Sequence, residues 1–239
     1  MDKATVDYFD SYVPVYGNER LEYAVSIIEK LAHKDSTLVD IGCGTGNILE
    51  YIAGKTPVKK LYGVDVSQNC LNMIENKIEC KTFCGSVVDD NFVNSIEEKF
   101  DFAILSAILH HIVGKSRTES RNLEMKAIFN AVKLLKTGGW LIINEPIFHP
   151  AFMMSILFYI KTFLTKFTSG RINILGEWNN IGAPVVYFFT NKQFFNFLSK
   201  LNNCEIIDKN INKLKLPFLL HLAMIHNRTE TTVILRKTE

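Results

Sequence analysis

The run Val39-Asp40-Ile41-Gly42-Cys43-Gly44-Thr45-Gly46-Asn47 holds the residues best placed to do chemistry. Glycines at 42, 44 and 46 permit a sharp strand-to-helix turn whose bare backbone a ligand can touch. Loops of this kind serve nucleotides in general, but the spacing here is GxGxG, with Asn47 where a GxGxxG loop would carry its third glycine. Asp40 places a carboxylate just ahead of the loop, which would repel a pyrophosphate and suits a cation. Asp65 closes the next apolar run, LYGVD, where a carboxylate can accept hydrogen bonds from both hydroxyls of a ribose. Further along, Leu109-His110-His111 follows the apolar run FDFAILS, and Glu145 follows WLIIN. An imidazole can take a proton at physiological pH, and a carboxylate can bind an amine or act as a base.

Such residues need a scaffold that brings them to one edge. Leu21, Ala24, Val25, Ile28 and Leu31 recur at helical spacing and predict a helix over residues 18–31. Short apolar runs predict buried strands at 36–41, 60–64, 79–84, 100–105 and 140–144. Helices are expected at 47–53, at 67–77 with Ser67 as N-cap, and at about 118–136, the last stopped by Gly138-Gly139. This alternation predicts an α/β fold, a doubly wound and mostly parallel sheet whose ligands lie outside the carboxyl ends of the strands. After Pro150 the alternation breaks. Residues 151–187 carry Phe152, Met153, Met154, Phe158, Tyr159, Phe163, Phe167 and Trp178. Three readings stand for this insertion: a roof over a substrate pocket, an extra core helix, or a membrane-surface contact flanked by Lys161 and Lys166. Thr190 and Gln193 form a capping-box pair ahead of another helix. Two late strands are expected at 204–210 and 231–235. The chain divides into a helical N-terminal cap (1–35), a ligand-binding core (36–149), the insertion (150–189) and a C-terminal helix and strands (190–239), all in one domain.

Composition narrows the partners. The 239 residues are 47% hydrophobic and 22% charged, enough apolar chain to bury a full core. A net charge of only +2, with 27 scattered Lys and Arg, gives no basic stripe for a nucleic-acid backbone. The five cysteines, Cys43, Cys70, Cys80, Cys84 and Cys204, form no CxxC pair and predict no metal site. They read as reduced thiols of a cytoplasmic protein. The first residues lack the apolar core of a signal peptide, and no apolar run approaches the roughly 20 residues of a membrane span. A small-molecule partner is therefore expected, with no nucleic acid, no integral membrane segment, and a monomer or homodimer.

Taken in order, VDIGCGTGN, LYGVDVS, FDFAILSAILHHI and LLKTGGWLIINEP resemble the successive motifs of class I S-adenosylmethionine (SAM) dependent methyltransferases, over about residues 36–146. The resemblance implies a Rossmann-like, seven-stranded sheet with the last strand antiparallel, and SAM as cofactor. It implies that Asp40 and the loop through Gly42, Cys43, Gly44, Gly46 and Asn47 hold the methionine end. Asp65 would hold the ribose, and Val66 would pack on the adenine. Where the family usually has an acid to meet the adenine amino group, this chain has Ser86, followed by Val87 with its backbone N–H. Asp89 and Asp90 are possible substitutes. Ser106 follows strand four, and Tyr16, with Tyr8 and Tyr12, lies where family members fold an aromatic segment over the methionine end. His111 and Glu145 are the candidate catalytic residues. The motifs of base-modifying methyltransferases, (Asn/Asp)-Pro-Pro-(Tyr/Phe) and a Pro-Cys pair, are absent. The expected activity is methyl transfer to a small, partly hydrophobic metabolite, as in natural-product biosynthesis. The alternatives are an NAD(P)-dependent oxidoreductase, disfavoured by Asp40 and the GxGxG spacing, and a methyltransferase-like binding protein without catalysis.

Overall fold

The computed structural model describes residues 18–74, 77–164, 186, 189–216, 221 and 224–238. Its strands are β1 (Thr37–Ile41), β2 (Lys60–Asp65), β3 (Lys81–Cys84), β4 (Phe100–Ser106), β5 (Leu135–His149), β6 (Cys204–Lys213) and β7 (Asn227–Lys237). They form one seven-stranded sheet in the order β3-β2-β1-β4-β5-β7-β6. β1 to β5 pair parallel. β7 runs antiparallel to both its neighbours. The order reverses direction between β1 and β4, which opens a crevice beyond their carboxyl ends.

Alternation along the strands divides the core into two layers. Leu38, Phe102, Ile104, Ile142 and Ile234 face one side. There they meet α1 (Glu22–Leu31), α2 (Asn47–Lys55) and α3 (Gln68–Ile74). Val39, Ile41, Ala103, Leu105, Leu141, Ile143 and Val233 face the other side. This layer meets α4 (Asp90–Ser95), α5 (Arg117–Leu134) and α7 (Asn191–Leu198), and it includes Phe158 of α6 (Ala151–Leu164). Each fully buried aliphatic or aromatic side chain contributes roughly 1.5–3 kcal/mol, so the two layers hold the sheet edge rigid under the site. Side chains fix the helix starts as expected. Ser67 Oγ accepts from Cys70 N at 3.1 Å, and Thr190 and Gln193 form the reciprocal capping box of α7.

The structure departs from the sequence reading around β5. The paired glycines do not separate helix from strand, because α5 already ends at Leu134 and β5 begins at Leu135. Gly138, at φ 79°, instead lets the strand bulge away and return, the pairing moving from Phe100↔Leu135 to Phe102↔Trp140. At its far end β5 continues to His149, because β7 pairs with it from Trp140↔Arg236 to His149↔Asn227. A short helix, α4, also stands where no element was expected.

Candidate active site

The glycine loop is built by backbone bonds before any side chain acts. Gly42 N and Cys43 N both donate to Val64 O, at 2.7 and 3.1 Å, tying the end of β1 to β2. Gly44 N donates to Asp65 Oδ2 at 2.8 Å, and Ser67 N donates to Oδ1 at 2.9 Å. Asp65 is thus held in place by the loop it serves, and each of its oxygens keeps capacity for a further donor. A Cβ on Gly42 would stand 2.3 Å from Ile108 Cδ1, whereas one on Gly44 would meet nothing within 4 Å. Close packing against Ile108 explains the first glycine, and open space above the backbone explains the second.

That space belongs to a cleft of about 1310 Å³, counted out to its open mouth. Its lining brings together Gly42, Cys43, Gly44, Asn47, Asp65, Val66, Ser86, Val87, Ser106 and His111 among the residues expected from sequence. The segment carrying Ser86 and Val87 is fixed by Asn130 Nδ2, which donates to Val87 O at 2.8 Å. Ser106 Oγ donates to Asn144 Oδ1 at 3.5 Å. His111, half-buried, sits in a short 3-10 turn, Leu109–His111, after β4.

Other expected residues fall elsewhere. Gly46, at φ 79°, is the N-cap of α2 and works through the turn rather than the lining. Asp40 is fully buried on the α1 side of β1, and neither carboxylate oxygen has a hydrogen-bond partner. Burial first, then the Asp65 charge, push its carboxyl up to about 7, partly offset by Arg20. Asp89 caps α4 through Asn91 N at 2.9 Å, and Asp90 pairs with Lys126 and Lys133, so neither substitutes for Ser86. Tyr8, Tyr12 and Tyr16 lie outside the described residues.

Glu145, the candidate base or amine-binding carboxylate after WLIIN, lies inside β5 opposite Thr231, is 1% exposed and does not line the cleft. The antiparallel pairing with β7 is what carried it into the sheet. Its Oε1 accepts from Ile108 N at 2.8 Å and Leu109 N at 2.7 Å, and its Oε2 lies 2.7 Å from His110 Nδ1. In the insertion, no residue of α6 lines the cleft among the described residues. Phe158 is core, and Met154 packs with Phe148 and Ile225. Phe152, Ile156, Tyr159 and Phe163 face outward, and Phe167 and Trp178 lie outside the described residues.

Sequence reasoning missed Arg20 and Ile108, which both line the cleft. Arg20 precedes the first apolar residue of the helical stripe, where a charge usually means solvent. Ile108 looked like one more apolar residue after a strand.

Residues 39–141 match the model of a methyltransferase domain. Over that stretch the chain carries the pattern of a methyltransferase domain, set on the seven-stranded sheet described above. SAM is the cofactor of such an enzyme, and the cleft fits it: Gly44 leaves a bare cradle, and Asp65 in the same lining keeps capacity for a further donor. Solved methyltransferase structures share the fold. A SAM-dependent methyltransferase from Methanosarcina mazei superposes at TM-score 0.60 and 18% identity, over 94% of this chain and 99% of that one. The magnesium protoporphyrin IX methyltransferase of Synechocystis PCC 6803, solved with bound SAM, gives 0.59 and 14%, over 99% and 98%. An S-adenosylmethionine-dependent methyltransferase from Clostridium acetobutylicum ATCC 824 gives 0.58 and 16%, over 94% and 93%. No curated protein matches the chain. Among the described residues no helix is long and apolar enough to cross a membrane.

Proposed function

We propose that the enzyme transfers the SAM methyl group to a small, partly hydrophobic acceptor held between His111 and the apolar wall of Ile112, Val113 and Leu123. The observation that carries this reading is the continuity of the cleft: the glycine loop and Asp65 at one end, and His111 with that wall in the same lining. SAM supplies an electrophilic methyl on a sulfonium. Asp40, buried directly behind the loop, favours its ammonium through its charge without lining the cleft. Arg20, from the 3-10 turn Asn18–Leu21, matches the carboxylate of the same end. Asp65 accepts from the ribose hydroxyls, and Val66 and Val87 enclose the adenine, with Ser86 at its edge. The apolar wall excludes water and aligns the acceptor atom, which is most of what an in-line displacement requires. His111 takes the acceptor's proton where the acceptor has one to lose. Among the described residues no disulfide joins the five cysteines, which supports a reducing, cytoplasmic setting.

Calorimetric titration with SAM and with NADH tests the cofactor, and a SAM-dependent mass-shift screen of metabolite extracts tests the acceptor. Binding of SAM and one methyl added to a small apolar metabolite are expected. Binding of NADH in place of SAM would overturn the reading.

A further inference from the structure

The end of β4 and the loop after it supply three consecutive contributions to the lining, Ser106, Ala107 and Ile108, and then His111. Its conformation is costly. Ala107 sits at φ 54°, in the left-handed region that a residue with a Cβ occupies only under constraint. One constraint is Ala107 N donating to Asn144 O at 2.8 Å. The other is the next residue of β5, Glu145, which captures the N–H groups of Ile108 and Leu109 with one oxygen and reaches His110 Nδ1 with the other. The His110 ring lies against the His111 ring, centroids 4.1 Å apart. Ile108 lies over Gly42 so tightly that no Cβ fits between them.

We propose that Glu145 is a positioning residue, a clamp that never touches either reactant but locks Ile108, His110 and His111 into one unit, so that the cofactor wall and the proton acceptor depend on the same side chain. The inference rests on the methyltransferase reading and gives Glu145 a role in place of direct catalysis. Burial holds the Glu145 carboxyl protonated up to about 8 and pushes His110 down to about 3. The proton between them therefore sits on Oε2 and is donated to Nδ1, which leaves the His110 proton on Nε2. Arg20, Glu124 on α5 and Glu230 on β7 are the charged groups that act on this carboxyl from the neighbouring elements. A protonated carboxyl and a primary amide offer the same pattern: one oxygen accepting two N–H groups, one donor facing Nδ1.

Glu145→Gln should therefore preserve the clamp and Glu145→Ala should release it. SAM affinity by calorimetry is expected within about threefold of wild type for Glu145→Gln, and at least tenfold weaker for Glu145→Ala at a temperature where both are folded. Should Glu145→Ala not fold, Glu145→Asp, too short to span both bonds, takes its place. Nitrogen-15 shifts of the histidine rings should show His110 as a single Nε2–H tautomer in wild type and Glu145→Gln, and as a mixture once the clamp is gone. Once an acceptor is in hand, Glu145→Gln should retain its kcat. A Gln variant as weak as the Ala variant, or an Ala variant that binds SAM like wild type with His110 still in one tautomer, would overturn the clamp. Failure of wild type itself to bind SAM would strike the cofactor reading, while the tautomer measurement would still judge the clamp.

Discussion

Two carboxylates, both legible in the sequence, carry different burdens. Asp65 holds the Gly44 amide while offering its remaining capacity to a ribose. Asp65→Ala should weaken SAM binding by about 10- to 1000-fold, equivalent to about 1.4–4 kcal/mol, in a folded protein. Unchanged affinity by calorimetry would remove it from that role. Asp40 predicts a pH dependence. Burial pushes its carboxyl up to about 7, and it must ionise to favour an ammonium, so binding expels a proton at lower pH. SAM affinity should be on the order of tenfold weaker at pH 6 than at pH 7.5, below the range of about 7.7–8.0 where α-amino groups lose their own proton. Asp40→Asn should bind weakly and flatten this slope; an unaltered slope would assign it to another group. The sign for folding is opposite. The unfolded chain ionises near 3.8 while the folded protein keeps the proton to about 7, so this residue withdraws stability as pH rises across that window.

At the scale of elements, the two loop glycines should separate packing from binding. Gly42→Ala drives a methyl into Ile108 and strains a φ of 78°, and should lower stability by about 1–3 kcal/mol in thermal unfolding. Gly44→Ala strains a φ of 50° but meets open space, so it should cost less stability than Gly42→Ala and lower SAM affinity more, read by calorimetry; an equal loss of stability in both variants would contradict the cradle. Elements governed by local pattern were legible. β1, β2 and β4 lie within a residue or two of the apolar runs that predicted them, and Ser67 and Thr190 cap where their types and spacing said they would. What could not be read depends on partners distant in sequence. Glu145 looks like a loop acid until β7, some ninety residues later, pairs beside it. Arg20 becomes part of the cleft only because α1 lays its entry across the sheet. Neither fact is written in any local period.

The molecule as a whole leaves an apolar face outward on α6, with Phe163 at 61% exposure and Phe152 at 56%. This face follows β5 at the same carboxyl edge as the cleft. If it guides a partly hydrophobic acceptor, replacing Phe152 and Ile156 by Ser should raise the acceptor KM and leave SAM affinity within about threefold. Phe158→Ala, by contrast, should cost about 3–5 kcal/mol of stability, as a core truncation does. Unchanged acceptor kinetics in the double variant would exclude the face from acceptor handling. A different consequence follows from β7, which enters between β5 and β6 rather than at an edge. During synthesis the strand that joins them is translated after both, so a nascent chain arrested before Asn227 has two unjoined strands with raw hydrogen-bonding edges. Such a ribosome-bound fragment is a client for chaperones, and the sheet closes only after nearly all of this sequence has been translated.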